Sequence, residues 1–208
     1  MSSKNRPVSR AAALLLAGLA LVLSPVLPAP AAGPTPGALI RQTVDGVVAV
    51  LKQDLPRPER RARIRALVRA RFDFEEMSRR VLGVNWRRLS PEEQRQFIEL
   101  FTRLLEASYL DKIDTYHNET ILYPKEETRG RYARVFTVIR TETKEIPVTY
   151  HLLQRGGAWW VYDVIIEGIS LVSNYRASYA TILKREGYDG LIRRMRTKVE
   201  ELDRPSAS

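Results

Sequence analysis

Apolar positions along this chain change their period twice. From Ala38 to Leu55 they fall at Ile40, Val44, Val47, Val48 and Leu51, which predicts a helix with one buried stripe. Pro56 and Pro58 end it and open a second helix over about 59–71, whose stripe is Ile64, Leu67 and Val68. The stretch 72–77 begins a short helix, with Asp73 as its cap and Gly83 as its stop; Val81, Leu82 and Trp86 add apolar surface beside it. Ser90-Pro91-Glu92-Glu93 combines a capping serine, a proline at the first helical position and a glutamate that completes a capping box. The helix it starts runs to about Asp114 on a stripe of Phe97, Leu100, Phe101, Leu104, Leu105, Tyr109 and Ile113.

Beyond that helix the period falls to two. Strands are predicted at 120–124, 132–141, 146–154 and 158–166, with 169–172 continuing past a bend. Arg155-Gly156-Gly157 reads as a tight hairpin turn, and short connections between consecutive strands mean an antiparallel meander. Two helices close the chain, one over 175–186 stopping at Gly187 and one capped by Asp189. The run from Trp159 to Ser173 is apolar on both alternations, so it reads as the central strand of a curved sheet, bent at Gly168. The expected fold is α+β: a curved antiparallel sheet with helices packed on its concave face.

The first residues stand apart from this pattern. Lys4, Arg6 and Arg10 precede an apolar run from Ala11 to Leu23, and Ala29-Pro30-Ala31 fits a small-residue cleavage site. Residues 1–31 are therefore expected to be a cleaved export signal, because the run is too short and too proline-bounded to span a bilayer. Residues 32–37 are expected to be a flexible linker, 38–203 a single domain and 204–208 a disordered tail. The chain of 208 residues carries a net charge of +10, which removal of the three leader bases lowers to +7. An exported basic protein meets anionic lipid or acidic protein surfaces rather than nucleic acid. The chain has no cysteine, which excludes disulfides and thiolate metal sites.

Candidate chemistry is sparse. The two histidines, His117 and His151, lie on different elements with no metal-ligand spacing between them, and no nucleophile, zinc or phosphate-loop motif occurs. Asp163 and Glu167 interrupt the apolar run. They are read as structural groups that pair with arginines or hold the bend at Gly168, with proton transfer as the competing reading. The arginines at 60, 61, 63, 65, 69 and 71 form either a solvated face or a docking surface for a membrane or an acidic partner. The large apolar and aromatic side chains, among them Phe72, Phe74, Met77, Trp86, Phe136, Trp160 and Tyr162, either fill a core or line a cavity for an apolar ligand.

Trp159, Tyr162, Asp163, Glu167, Gly168, Ile169 and Ser170 meet every fixed position of a W-x-x-Y-D-x-x-x-E-G-[VI]-S pattern, and this stretch resembles the signature of the MlaC family, the periplasmic toluene-tolerance proteins. Leu183-Lys184-Arg185-Glu186-Gly187-Tyr188-Asp189-Gly190-Leu191 resembles the next motif of that family. Val81-Leu82-Gly83 followed by Ser90-Pro91-Glu92-Glu93-Gln94 resembles an upstream one. The likeness spans about residues 38–199.

The resemblance implies a non-enzymatic phospholipid-binding carrier in the periplasm, with no cofactor and with phospholipid as cargo. Its partners would be an outer-membrane lipoprotein complex and an inner-membrane MCE-domain transporter complex, with transient membrane contact, and its role would be to help maintain outer-membrane lipid asymmetry. It also implies a fold similar to the nuclear-transport-factor-like cone, enclosing a deep apolar pocket. A neighbouring subfamily is associated with hopanoids, and a small cavity enzyme using Asp163 or His117, or a basic adaptor with a filled core, are the competing readings. The side chains expected to line the slot are Met77, Val81, Leu82, Leu104, Tyr109, Tyr150, Tyr162 and Val164, with Trp159, Asp163, Glu167 and Gly168 as the structural motif. Because strand side chains alternate, a register slip of one residue would invert the facing set.

Overall fold

Four of the five α-helices among the described residues start where a side chain accepts from a free amide of the first turn; the second, which follows Pro56, has no such cap. The computed structural model describes residues 33–115 and 119–204. The expected export signal, His117 and residues 205–208 lie outside the described residues. Helix α1 (Pro36–Leu51) begins two residues before the expected start, because the Thr35 hydroxyl accepts from the Ala38 amide and Pro36 takes the first helical position. Helix α2 (Arg57–Arg69) follows, then α3 (Phe74–Leu82), capped by Asp73, whose carboxylate accepts from the Glu76 amide at 3.0 Å. A 3₁₀ turn over Gly83–Arg88 leads to α4 (Pro91–Asp114), where the capping box forms in full.

Five antiparallel strands come next in the order β1-β2-β3-β4-β5. They are β1 (Thr120–Arg129), β2 (Tyr132–Arg140), β3 (Glu145–Arg155), β4 (Ala158–Ile166) and β5 (Ile169–Ser170). Helix α5 (Leu171–Asp203) ends the described chain, broken at Gly187, where φ is 67°. Three features differ from the sequence reading. First, β1 runs on past Pro124 to Arg129, because an irregularity between Leu122 and Lys125 accommodates the missing proline amide. Second, the middle of the sheet is β3, not the run beginning at Trp159. That run forms β4, and its free side is covered by Ile169–Ser170 at one end and by the bridge from Phe72 to Val161 at the other. Third, Glu167 and Gly168 both have positive φ, 50° and 83°, between the paired residues Ile166 and Ile169. They form a two-residue hairpin loop rather than a bend in a continuous strand. Ser170 then caps α5 through the Ser173 amide, so Leu171 and Val172 are helical.

The bulge in β4 lies elsewhere. Val161 pairs with Leu152 and Asp163 with His151, which leaves Tyr162 as the extra residue. Two apolar bodies result. One lies among α3, α4 and α5 around Phe97, Phe101, Leu191 and Met195. The other lies between α1 and the inner sheet face around Ile40, Val135, Leu152 and Val161. A third, smaller cluster of Val50, Ile64 and Leu110 joins α1 and α2 to α4.

Candidate functional site

The inner sheet face and the helices facing it do not close on one another. A cavity of about 690 Å³ lies between them. Its floor is Val148 and Tyr150 of β3 with Val164 and Ile166 of β4, and its walls come from α1, α2 and α4, with Phe72, Phe74 and Met77 at one end. Val44 and Val47 of α1, Ile139 and Ile146 of the sheet and Tyr109 of α4 pack against the apolar clusters on one side and line this space on the other, and they remain only half-buried. The charged side chains that touch it are Lys112, Lys144 and Glu167, which are exposed, Arg65 and Glu106, which pair at 3.7 Å, and Glu119. Inside, burial pushes the Tyr150 phenol up to about 12, so it stays neutral and can donate a hydrogen bond. Burial, and then the neighbouring Tyr175, also raise Tyr109.

Of the arginines read as a solvated face or a docking surface, Arg60, Arg61, Arg65 and Arg69 bind carboxylates of α4, joined by Arg57, while Arg63 stays exposed and pairs with Glu59 at 2.7 Å. Asp114 accepts from Arg61 at 2.7 Å, Arg60 at 3.1 Å and Arg57 at 3.4 Å, and Asp111 accepts from Arg57 at 2.8 Å and also from Arg61. Glu106 holds Arg69 through both oxygens, at 2.5 and 2.8 Å, with Arg65 at 3.7 Å. Burial alone would raise the Asp114 carboxyl, but the hydrogen bonds and charges of Arg61 and Arg60 outweigh it and hold the group below the usual carboxylate range. This ladder fastens the α2 wall of the cavity to the C-terminal half of α4.

Of the eight side chains expected in the slot, Met77, Tyr109, Tyr150 and Val164 lie on the cavity wall. Val81, Leu82 and Leu104 pack instead in the body formed by α3, α4 and α5. The α4 stripe explains Leu104: with 3.6 residues per turn, Phe97, Phe101 and Leu104 turn toward α5, while Leu105, Tyr109 and Ile113, one position on, turn toward the cavity. Tyr162 lies on the outer sheet face beside Arg80 and His151, because the bulge there shifts the alternation. The wall residues Ile40, Val44, Val47, Ile64 and Val68 were read as ordinary buried stripes. A stripe that faces a cavity carries the same spacing as one that faces a core.

Within the motif, Asp163 ties β4 to α5. Its Oδ2 accepts from the Ser170 hydroxyl at 2.6 Å, and its Oδ1 from the Val164 and Val172 amides at 2.9 and 3.1 Å. A carboxylate with both oxygens so engaged is a structural joint. Glu167 sits in the β4–β5 turn at the cavity edge, its amide donating to the Pro147 carbonyl at 2.9 Å. Trp159 packs with the inner-face cluster, and Gly168 supplies the second positive φ of the turn.

Fold and cavity together define an α+β protein that keeps an apolar chamber under its sheet. The MlaC protein family model matches residues 41–197, and the chain belongs to that family. It is 24% identical to the intermembrane phospholipid transport system binding protein MlaC of Haemophilus influenzae, over 62% of this chain and 63% of that protein. It is 30% identical to the toluene tolerance protein ttg2D of Pseudomonas putida, over 56% of each. The chain thus spans about three fifths of the length of these curated relatives. The fold is shared with a phospholipid-binding protein from Ralstonia solanacearum, solved in complex with a phospholipid: the TM-score is 0.74 over 81% of this chain and 98% of that one, at 23% identity.

Proposed function

We propose that this protein is a periplasmic phospholipid carrier. It shuttles lipid between an outer-membrane lipoprotein complex and an inner-membrane MCE-domain transporter complex, and so contributes to outer-membrane lipid asymmetry. The observation that carries this reading is the apolar chamber under the sheet. Moving two acyl chains of ~15 methylenes each through water would cost about 24 kcal/mol at about 0.8 kcal/mol per methylene, so unassisted transfer is negligible. A chamber lined by Met77, Tyr109, Tyr150 and Val164 removes that surface from water. Lys112 and Lys144, exposed at its edge, leave a phosphate head group hydrated and close to positive charge. No bond is made or broken, and the names of the relatives describe binding and transport rather than catalysis. The basic, apolar leader supports export to the periplasm.

Native mass spectrometry of the protein purified from its own host tests the reading. The expected result is protein carrying phospholipid. A co-purified hopanoid would redirect the cargo assignment, and protein that is reproducibly empty would overturn the carrier.

A further inference from the structure

A second concavity, of about 620 Å³, opens on the other side of the sheet. It is lined by Arg80 of α3, Arg129 of β1, Tyr132 and Arg134 of β2, His151 of β3 and Tyr162 of β4. Arg134 stands between Ala133 and Val135, whose side chains belong to the inner apolar body, so alternation sends it to the outer face. The site therefore shares no wall with the lipid chamber and does not depend on the carrier reading.

Its charge is unbalanced. Arg80 is bound to Glu76 at 2.7 Å and lies over the Tyr162 ring at 4.1 Å. Among the described residues no carboxylate comes within ion-pair distance of Arg129 or Arg134. The acidic side chain in the wall, Glu127, is held by Lys125 at 2.6 Å. That hydrogen bond, with the charges of Lys125, Arg134 and Arg129 adding to it, keeps the Glu127 carboxyl below its ordinary range. Asp163, next to His151, is already satisfied by Ser170 and two amides. The uncharged part of the wall is aromatic. Tyr132 and Tyr162 meet edge to face at 6.2 Å, and His151 lies 5.9 Å from Tyr162. Tyr132 keeps 41% of its surface exposed, large for an aromatic residue with this much room to be covered. Arg129 and Arg134, with no carboxylate in ion-pair distance and with rings beside them, suit carboxylates carried on a chain. The arginines bind carboxylates in two-point fashion, and the rings cover the adjoining methylenes. Arg129 and Arg134 are both exposed, and the concavity that they share with the rings has room for a flexible segment.

We propose that this outer-face concavity docks an acidic segment of a partner protein, with carboxylates on Arg129 and Arg134 between the rings of Tyr132 and Tyr162. Docking on this face leaves the chamber on the inner face free, so a partner can hold the protein without touching its cargo.

Titration of hexaglutamate into the purified protein at low ionic strength tests this, read by the backbone amide resonances of β1 and β2 and the His151 ring resonances. The expected result is saturable binding that weakens as salt shortens the screening length to about 10 Å or less. The double reversal Arg129→Glu/Arg134→Glu should lower affinity by about tenfold or more, since each unfavourable 1.4 kcal/mol is a factor of ten. Arg57→Glu, on the far side of the molecule's sheet in α2, should change it by less than about twofold. If the reversal perturbs folding, Arg129→Gln/Arg134→Gln supplies the same test with smaller loss. Absence of binding, or binding indifferent to both pairs of substitutions, overturns the proposal. So does phosphatidylglycerol vesicles displacing hexaglutamate through the same two arginines, which would assign the site to a membrane.

Discussion

The two apolar bodies of this protein use the same kinds of residue to opposite ends. Among α3, α4 and α5, Phe97 and Phe101 have no exposed surface, their rings stack at 5.7 Å, and Tyr175 and Tyr179 meet them edge-on. Between α1, α2 and the sheet, valines and isoleucines of similar size stop short of one another and leave about 690 Å³. In the first body, side chains replace water as neighbours with dispersion contacts on every side; in the second they leave those contacts unmade. The hollow half compensates at its margin. An ion-pair ladder from α2 to Asp111, Asp114 and Glu106 binds the wall where the apolar cluster of Val50, Ile64 and Leu110 is small. Stability is concentrated in one half and capacity for a guest in the other.

Breaking the solid half should have the largest effect. Phe101→Ala removes a ring packed from all sides, and its loss should cost about 3–5 kcal/mol. For a domain of this size that lowers the melting temperature by about 10 °C. Tyr109→Ala, whose ring is half-buried and lines the chamber on one side, should cost about half of that or less. Urea denaturation of the two variants measures the contrast directly. Equal losses would mean that the chamber is as tightly packed as the core.

The joint between the halves comes next. Asp163 collects the Ser170 hydroxyl and the Val172 amide where β4 hands over to α5. Asp163→Asn retains the shape but replaces an acceptor with an amide group facing donors. The expected loss is roughly 2–3 kcal/mol in urea denaturation, with the lipid content per protein unchanged in mass spectrometry.

How far the sequence could carry a reader follows from the same contrast. Capping residues are local devices, so Asp73 and Ser90 mark helix starts legible in the chain, whereas Thr35 caps a helix inside the stretch expected to be a linker and Ser170 caps one where a strand is expected to continue. The meander was legible because turn residues and period two are local as well. The chamber was only half legible. Met77, Tyr109, Tyr150 and Val164 were named by hydrophobicity and strand parity, but a stripe facing empty space and a stripe facing a core have the same spacing, which is why Leu104 and Leu105 could not be told apart. Tyr162 shows the other limit. A one-residue bulge reverses which side chains share a face, and a bulge flanked by apolar residues leaves no mark in the pattern. The arginine ladder was invisible for a third reason: its acids lie some fifty positions away in the chain, and no local rule pairs them.

That ladder gives a smaller, pH-dependent effect. Asp114 has a lower pKa folded than unfolded, so the stability it supplies is present above the ordinary carboxylate value and is lost as pH falls through the folded one. The wall should loosen in acid before the solid half does. Protection of the α2 amides against hydrogen exchange, corrected for the intrinsic pH dependence of exchange, should fall below about pH 4, while protection around Phe97 and Phe101 stays high. Asp114→Asn should cost roughly 1 kcal/mol at neutral pH and remove most of this acid dependence. Protection in α2 that is insensitive to both acid and Asp114→Asn would mean that the apolar cluster alone holds the wall.

The smallest effect on stability should accompany the largest effect on the guest. Ile139→Phe/Ile146→Phe adds two rings to the chamber wall, at paired strand positions that are only half-buried and where aromatic residues are favoured. Overpacking a full core typically costs 1–3 kcal/mol. Here the added volume borders the chamber, so the unfolding free energy of the lipid-free protein should move by less than roughly 1 kcal/mol in either direction. The same rings occupy the place of acyl chains, so co-purified phospholipid should fall to about half or less of the wild-type level. If the double variant carries its full complement of lipid, the acyl chains lie elsewhere. If it unfolds, the hollow half is less hollow than its geometry, and the contrast with the α3–α4–α5 body fails at the point where it was drawn.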